Sequence, residues 1–179
     1  MEFKKLKIEG AYLISNKIFS DQRGSFINIF SKKIITKHIK FSKVKKGYLS
    51  YNNKKFTLRG FHYQTGRYSE GKIITCLNGE IFNVILDLRK KSKTYLQNQQ
   101  IKIGRKKIQS LFIPKGCANA FLTIKDNTIV HYYVDADYYP KFARGIRYDD
   151  PLFNIKWPAK PRVISQKDLG WQYIDKKLF

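Results

Sequence analysis

Residues 72–88 read Lys72-Ile-Ile-Thr-Cys-Leu-Asn-Gly-Glu-Ile-Phe-Asn-Val-Ile-Leu-Asp-Leu88, and this stretch decides the fold class. Two β-type runs flank Asn78-Gly79, a pair that supplies the two positive φ angles of a type I′ turn. In the second run every other residue is apolar, which gives one face formed by Phe82, Val84, Leu86 and Leu88. We therefore predict a hairpin of strands at 72–77 and 80–88.

Short β-type runs continue on both sides of this stretch, separated by turn residues. Further strands are predicted at 8–19, 25–30, 47–51, 57–64, 96–103, 107–113, 118–124 and 127–135. Helix is predicted only at 31–40, with Ser31 as N-cap, and at 165–170, with Ser165 as N-cap and Asp168 three residues later. Many short strands with little helix between them predict one all-β domain over 1–179, an eight-stranded jelly roll with a cavity between its sheets.

Composition excludes several other classes of protein. Hydrophobic residues make up 42% of the 179 residues and aromatics 15%, which argues against disorder. No apolar run approaches the length of a membrane-spanning helix, and no apolar core follows the charged N-terminus as in a signal peptide. Cys76 and Cys117 are too few for a disulfide framework and do not form a C-x-x-C motif. We predict a cytoplasmic protein with reduced thiols and no membrane partner.

The charge is strongly basic, with 36 Lys and Arg against 13 Asp and Glu and a formal net charge of +23. Nucleic-acid binding is one explanation. The basic residues are mostly lysines spread along the chain, however, and many fall where loops are predicted, so a solvated surface explains them as well. We predict no nucleic-acid partner, and we expect the charge to steer an anionic substrate.

The stretch Leu58-Arg-Gly-Phe-His-Tyr-Gln64 concentrates side chains that could carry chemistry. Strand alternation predicts a polar face formed by Gly60, His62 and Gln64, with Arg59, Phe61 and Tyr63 on the opposite face. His62 is one of three histidines, and His38 and His131 stand in no cluster of metal ligands. We therefore predict no metal site.

Other single residues first suit structural roles. Asp87 and Arg89 read as a salt bridge at a strand end, and Lys72 as a surface lysine. The tyrosine-rich segment 132–139 reads as amphipathic packing, although a phenol in a cavity can act as a general acid.

Taken together, these blocks resemble the dTDP-4-dehydrorhamnose 3,5-epimerase family, which consists of nucleotide-sugar epimerases with a cupin jelly roll. The blocks occur in family order across nearly the whole chain. They are Asp21-Gln-Arg-Gly-Ser-Phe26, the 58–64 stretch, Gly79–Arg89 with Ser92 and Thr94, Ile113-Pro-Lys-Gly-Cys-Ala118, Asp149-Asp-Pro151, Ile155-Lys-Trp-Pro158 and Ser165-Gln-Lys-Asp168.

The resemblance implies proton-transfer chemistry on a nucleotide-linked 4-keto sugar, without metal or cofactor. It implies that His62 is the base and that Asp168 orients it. Lys72 corresponds to the cation near the developing charge on O4, and Tyr132 to the acid that returns a proton.

The resemblance also implies a set of substrate-binding residues. Arg23 and Arg59 correspond to diphosphate binders, for which the planar guanidinium is suited. Tyr138 corresponds to a second pocket tyrosine. The remaining predicted substrate contacts are Phe26, Asn28, Gln64 and Asn119. Family members are usually homodimers that exchange N-terminal strands, here about residues 1–30, so Arg23 and Phe26 are expected to serve the neighbour's site.

Several positions depart from the family pattern. Asn119 stands where the family has a histidine, and Asn28 where it has a glutamate. Phe56 replaces a usual glycine. The stretch 47–53 lacks the Gln-x-Asn-x-Ser pattern of the dTDP-rhamnose enzymes, so a GDP- or CDP-linked hexose or heptose is considered as substrate.

We therefore predict a 3- or 3,5-epimerase of a nucleoside-diphosphate 4-keto-6-deoxy sugar, acting in surface polysaccharide synthesis such as that of capsule or lipopolysaccharide. Three alternatives stay open. They are a same-fold 4-keto-sugar ketoisomerase, a non-catalytic basic jelly roll that binds anionic polymer, and a degenerate member that binds the sugar without turning it over.

Overall fold

The strands of the chain are short and pair antiparallel throughout. The computed structural model describes residues 1–41 and 43–174. Over these ranges the strands are β1 Glu2–Lys5, β2 Tyr12–Ser15, β3 Ile18–Asp21, β4 Gly24–Ile27, β5 Lys46–Asn52, β6 Leu58–Gln64, β7 Lys72–Asn78, β8 Glu80–Asp87, β9 Asn98–Gly104, β10 Gln109–Ile113, β11 Cys117–Thr123, β12 Thr128–Val134 and β13 Ala143–Gly145. The α-helices are α1 Lys32–Ile35 and α2 Gln166–Leu169.

The strands form two large sheets and one ribbon. The six-stranded sheet has the order β1-β2-β10-β7-β12-β5, and the five-stranded sheet has the order β13-β6-β11-β8-β9. Strands β3 and β4 form a separate two-stranded ribbon. The predicted all-β jelly-roll class is confirmed, although the described ranges hold thirteen strands where an eight-stranded jelly roll was predicted. None of their helices is long and apolar enough to cross a membrane.

The predicted hairpin at Asn78-Gly79 is wrong. Strand β7 lies in the six-stranded sheet and β8 in the five-stranded sheet, so the two do not pair. Asn78 completes β7, and of the turn pair only Gly79 has a positive φ, +76°. Strand β8 lies between β11 and β9 and is buried on both faces. A hairpin with β7 would leave one face of β8 in solvent, so burial favours a central position in the other sheet.

The boundaries of several other predicted elements also shift. The predicted strand 8–19 starts in the turn at Gly10, which has φ +76°, and it breaks at residues 16–17 into β2 of the first hairpin and the start of β3 in the ribbon. The predicted helix 31–40 shortens to the single turn α1, and Ser31 is its N-cap without a side-chain hydrogen bond. Helix α2 is confirmed, and its N-cap Ser165 Oγ accepts a hydrogen bond from Asp168 N at 3.1 Å.

The main core lies between the two large sheets. It contains Ile74 and Leu111 from one sheet and Ile81, Ile85 and Phe121 from the other. A second cluster packs segment 146–157 against the outer face of the five-stranded sheet. Both cysteines are free and belong to the main core, where burial raises the pKa of each thiol to about 12.

A β-bulge in β6 aims two polar side chains in the same direction. In the pairing with β11, Asn119 faces His62 and Phe121 faces Arg59, so Gly60 and Phe61 together oppose the single residue between them. The extra residue reverses the alternation, so Arg59 and His62 line the same cavity. The predicted opposite faces for Arg59 and His62 are therefore wrong.

Candidate active site

A cavity of about 590 Å³ opens beside β6 and β12. Residues from β5, β6, β7, β12, β13 and the α2 region line it, and they include Tyr48, Arg59, His62, Gln64, Glu70, Lys72, Tyr132, Tyr138, Arg144, Asp168 and Trp171. A second cavity of about 450 Å³ adjoins the first and shares Tyr48, Arg59, His62, Lys72 and Tyr132 with it. The four predicted catalytic residues therefore line one continuous space.

The closest polar pair in this space joins β6 to α2. His62 Nε2 lies 2.6 Å from Asp168 Oδ1, and Gly60 N donates to Asp168 Oδ2 at 3.2 Å. Asp168 is 3% exposed, whereas the His62 side chain is 44% exposed toward the cavity. Burial would raise the pKa of Asp168, but the hydrogen bond and charge of His62 and the Gly60 N–H outweigh it and lower that pKa. An ionised Asp168 keeps the imidazole proton on Nε2 and leaves Nδ1 as the basic nitrogen.

Tyr132 stands on β12 across the cavity from the β6 residues. Its ring stacks on Tyr48 of the neighbouring strand, with ring centroids 5.2 Å apart. Burial, followed by the nearby Tyr48 and Glu70, raises the pKa of Tyr132, while Arg59 opposes the rise. The phenol therefore stays protonated at neutral pH and can donate a proton.

Lys72 begins β7, and its ammonium is held by an acid. Lys72 Nζ lies 2.9 Å from Glu70 Oε1, with both side chains about one-eighth exposed. Gln64 supports the same group, since its Nε2 donates to Glu70 Oε2 at 3.3 Å.

The Gln64 amide is engaged with the protein on both ends. Nε2 also donates to the carbonyls of Tyr68 and Asp137, and Oε1 accepts from Tyr139 N at 2.7 Å. Although Gln64 lines the cavity, it is 2% exposed, and its hydrogen bonds tie the 65–71 loop to the 135–142 loop that carries Tyr138.

The other predicted substrate contacts are divided between cavity and surface. Arg59 lines both spaces, and its Nε donates to Asn52 Oδ1 at 2.9 Å. Tyr138 lines the larger space and is about half exposed. Asn119 lines the smaller one, opposite His62 in the strand register. Asn119 Nδ2 donates to Asn83 Oδ1 at 3.0 Å and to the Val84 carbonyl at 2.9 Å, which fixes the amide in the wall.

Arg23, Phe26 and Asn28 are not brought to the cavity within one chain. Arg23 and Phe26 belong to the β3–β4 ribbon, where the Arg23 side chain is 86% exposed and pairs with Asp21, and Phe26 is 74% exposed. Asn28 follows the ribbon and accepts a hydrogen bond from Phe30 N. Within a single chain these three residues are therefore exposed to solvent.

The histidines other than His62 pack as aromatic groups. His38 stacks on Phe3 with ring centroids 4.2 Å apart. His131 lies edge-on against Tyr133, and burial lowers its pKa. Over residues 1–41 and 43–174, no three His, Cys, Asp or Glu side chains come together as metal ligands.

The sequence pattern does not single out several residues that complete the site, namely Tyr48, Asn52, Glu70, Arg144 and Trp171. Glu70 carries a weak signal, since it stands two residues before Lys72 and so can share its side of an extended chain. Tyr48 meets Tyr132 only because β5 pairs with β12, and that pairing is set by tertiary structure.

A jelly roll whose cavity gathers a His–Asp pair, a partly buried tyrosine and a lysine paired with an acid defines a cupin-type isomerase. The family model described as dTDP-4-dehydrorhamnose 3,5-epimerase matches residues 5–176. The chain belongs to this family of epimerases.

Similar proteins cover the whole domain. The chain is 32% identical over 183 residues to the dTDP-4-dehydrorhamnose 3,5-epimerase of Shigella flexneri, an alignment that covers 100% of this chain and 99% of that one. It superposes with a TM-score of 0.93 and 30% identity on the Bacillus anthracis enzyme of the same name, solved with TDP and PPi bound, covering 97% and 99% of the two chains. The enzyme from Legionella pneumophila in complex with dTDP-4-keto-L-rhamnose gives a TM-score of 0.91 at 29% identity, covering 99% and 96%.

Proposed function

We propose that this protein inverts C3, C5 or both centres of a nucleoside-diphosphate 4-keto-6-deoxy sugar, without metal or cofactor. The observation that carries the proposal is the 2.6 Å pair of His62 and Asp168 in one cavity with Tyr132 and Lys72. This set provides a base, its orienting carboxylate, an acid and a cation, which are the groups that an enolate mechanism needs.

The C4 carbonyl acidifies the C–H bonds at C3 and C5. His62 Nδ1 takes a proton from one of these carbons, and the electron pair of the broken C–H bond moves to O4 to form an enolate. The Lys72 ammonium stabilises the negative charge on O4. Tyr132 then gives its proton to the opposite face of the same carbon, and the C4 carbonyl forms again with the configuration inverted.

Substrate binding is proposed to involve both subunits of a homodimer. Arg59, Tyr138 and Asn119 would contact the substrate from the same chain as His62. Exchange of about residues 1–30 would place Arg23, Phe26 and Asn28 of one subunit at the other subunit's cavity, with Arg23 on the diphosphate. The exposure of Phe26 and Arg23 on a projecting ribbon supports this arrangement.

Two candidate substrates are proposed, and each has its own support. The Bacillus and Legionella enzymes were solved with TDP and with a dTDP sugar. The departures at 47–53 and at Asn119 instead favour a CDP- or GDP-linked hexose or heptose. In either case we place the reaction in the cytoplasm, in the synthesis of sugars for surface polysaccharide.

Solvent deuterium exchange tests the proposal. The protein is incubated in D₂O with dTDP-, CDP- and GDP-linked 4-keto-6-deoxy sugars, and C3 and C5 are followed by NMR. We expect deuterium at one or both carbons for at least one sugar, an unchanged rate after EDTA treatment, and no exchange with His62→Asn. Retention of protium at both carbons of every sugar would refute epimerase chemistry.

A further inference from the structure

Glu70 is the acid in the cavity that the proposed mechanism leaves without a role. Its Oε1 binds Lys72 Nζ at 2.9 Å, and its Oε2 accepts from Gln64 Nε2 at 3.3 Å. Both carboxylate oxygens therefore have protein partners, so Glu70 is not placed to act as a second base. A carboxylate that is largely shielded from solvent also repels an anionic substrate. We therefore expect Glu70 to provide a benefit that offsets this repulsion.

The backbone between Glu70 and Lys72 is fixed as well. Gly71 N donates to Asp135 Oδ1 at 2.7 Å, and Asp135 N donates to the Gly71 carbonyl at 3.3 Å. With the backbone held by Asp135 and the carboxylate held by Gln64, the Lys72 ammonium has one defined position. A lysine without such support is a flexible point charge that could move to a bound diphosphate.

We propose that Glu70 is a positioning residue that holds Lys72 Nζ on the wall of the cavity and places its own negative charge in the space that Tyr132 lines. This inference rests on the proposed function, because it deepens the roles given there to Lys72 and Tyr132. Charge stabilisation of an enolate depends on a donor that is already in place when the charge develops. The Glu70 bond supplies that placement, and the negative charge of Glu70 disfavours loss of the Tyr132 proton.

Several other charged or titratable groups line the cavity together with Tyr132 and Glu70. They are Tyr48 from β5, Arg59 and His62 from β6, Lys72 from β7 and Asp168 from α2. Burial is the largest cause of the raised pKa of Tyr132, Tyr48 and Glu70 add to it, and Arg59 lowers it. Removal of the Glu70 charge should therefore lower the pH at which Tyr132 ionises, without bringing it to that of a solvent-exposed tyrosine.

Glu70→Gln is the first test, because it keeps the shape and removes the charge. Lys72 and Gln64 bind different oxygens of Glu70, and the amide keeps only one of these oxygens, so we expect kcat for inversion to fall about tenfold or more. We expect KM for the nucleotide sugar not to rise, because a negative charge has left an anion-binding cavity. The alkaline limb of the inversion rate should move to lower pH. An unchanged kcat would overturn the positioning role.

A titration without substrate gives the second test. Tyrosine ¹³Cζ NMR follows ionisation of Tyr132, assigned by its loss in Tyr132→Phe. We expect a lower midpoint in Glu70→Gln and an unchanged midpoint in the control Glu80→Gln, which removes a charge at the start of β8, outside the cavity. Glu70→Asp should keep the midpoint but lower kcat, since the charge stays while the reach shortens.

An unmoved Tyr132 midpoint in Glu70→Gln would overturn the tuning role. If the wild-type protein turns over no nucleotide sugar, the proposed function fails, while the titration still decides whether Glu70 acts on Tyr132.

Discussion

At the scale of single residues, the ionised state of Asp168 depends on hydrogen bonds that converge on a buried carboxylate. The ring of His62 and the Gly60 N–H both donate to it, and the N-cap Ser165 places it at the first turn of α2. Its lowered pKa means that Asp168 orients His62 down to a pH below the ordinary range of an aspartate. Protonation of Asp168 should therefore not set the acid limit of activity.

Asp168→Asn should separate orientation from packing. The amide has the same size but lacks the charge that holds the imidazole proton on Nε2, so exchange of the sugar protons should slow by roughly 10³-fold or more. Thermal unfolding should shift by only a few degrees. Deuterium exchange and a melting curve check both statements. An exchange rate within about twofold of wild type would contradict the orienting role.

Tyr132→Phe should impair the second proton transfer while the first one persists. The first transfer uses His62, so exchange at the sugar carbon should persist, while inversion at that carbon should fall by about 10²-fold or more because the acid is missing. NMR of the product in D₂O measures both in one sample. Tyr133→Phe is the matched control on the same strand and should leave both rates unchanged. Equal loss of exchange and inversion in Tyr132→Phe would contradict the division.

At the scale of elements, the bulge in β6 decides where the catalytic side chains point. Gly60 makes the bulge possible, because its φ of +116° is rarely adopted by other residues and a Cβ there would lie 2.5 Å from the Asn119 carbonyl oxygen. The structure therefore has no room for a side chain at position 60.

Gly60→Ala should lower the free energy of unfolding by about 3 kcal/mol and displace His62. Gly66→Ala is the control, since Gly66 also has a positive φ, +60°, but nothing lies within 4 Å of a Cβ there. That variant should cost only about 1 kcal/mol and keep its activity. Urea unfolding and exchange rates measure the pair, and equal costs for the two variants would rule out crowding at the bulge.

The end of β8 is held by a buried carboxylate of a different kind. Asp87 is fully buried and accepts hydrogen bonds from Arg89, Ser92 and Thr94. Burial alone would raise the pKa of Asp87, but these bonds outweigh it and hold the pKa at about 2. Arg89 also donates to the Glu9 carbonyl, which ties the N-terminal segment to this turn.

Asp87→Asn should therefore lose about 2 kcal/mol of unfolding free energy at pH 7. The folded pKa lies below the unfolded value near 3.8, so this contribution is complete above about pH 4 and is lost as the pH falls toward 2. Urea unfolding at pH 7, 5, 4 and 3 should show the gap between variant and wild type closing in acid. A gap that stays constant to pH 3 would contradict this source of stability.

Local patterns in the sequence predict most strands and the capped helix α2, because alternation and N-capping act within a few residues. They do not predict which strands pair. The Asn78-Gly79 turn looks like a hairpin locally, yet burial of β8 on both faces places it in the opposite sheet. The bulge at Gly60 is hidden for the same reason, since its register depends on β11.

The site residues also divide into those that a sequence motif predicts and those that only strand pairing brings to the cavity. Motif resemblance predicts His62, Lys72, Tyr132 and Asp168, and the structure gathers all four around one space. Glu70 and Tyr48 reach that space through β7 and the β5–β12 pairing, which no local pattern encodes.

At the scale of the whole molecule, the proposed exchange of N-terminal strands makes each site a product of two subunits. Mixing two inactive variants tests this directly. If Arg23 serves the neighbour's cavity, refolding Arg23→Ala together with His62→Asn should restore about one quarter of the wild-type sites, because half of the dimers are mixed and each has one intact site. Each variant refolded alone should stay inactive. No recovery in the mixture would place Arg23 and His62 in the same chain's site.

The passage of the chain from one sheet to the other at Gly79 has a consequence for how the protein can be divided. Strands of the two sheets are interleaved along residues 58–134, so a cut between any two of these strands leaves neither fragment with a complete sheet. We therefore expect neither part of a divided chain to fold as a module of its own. Insertions are expected to be tolerated in the loops, where they break no hydrogen bonds between strands.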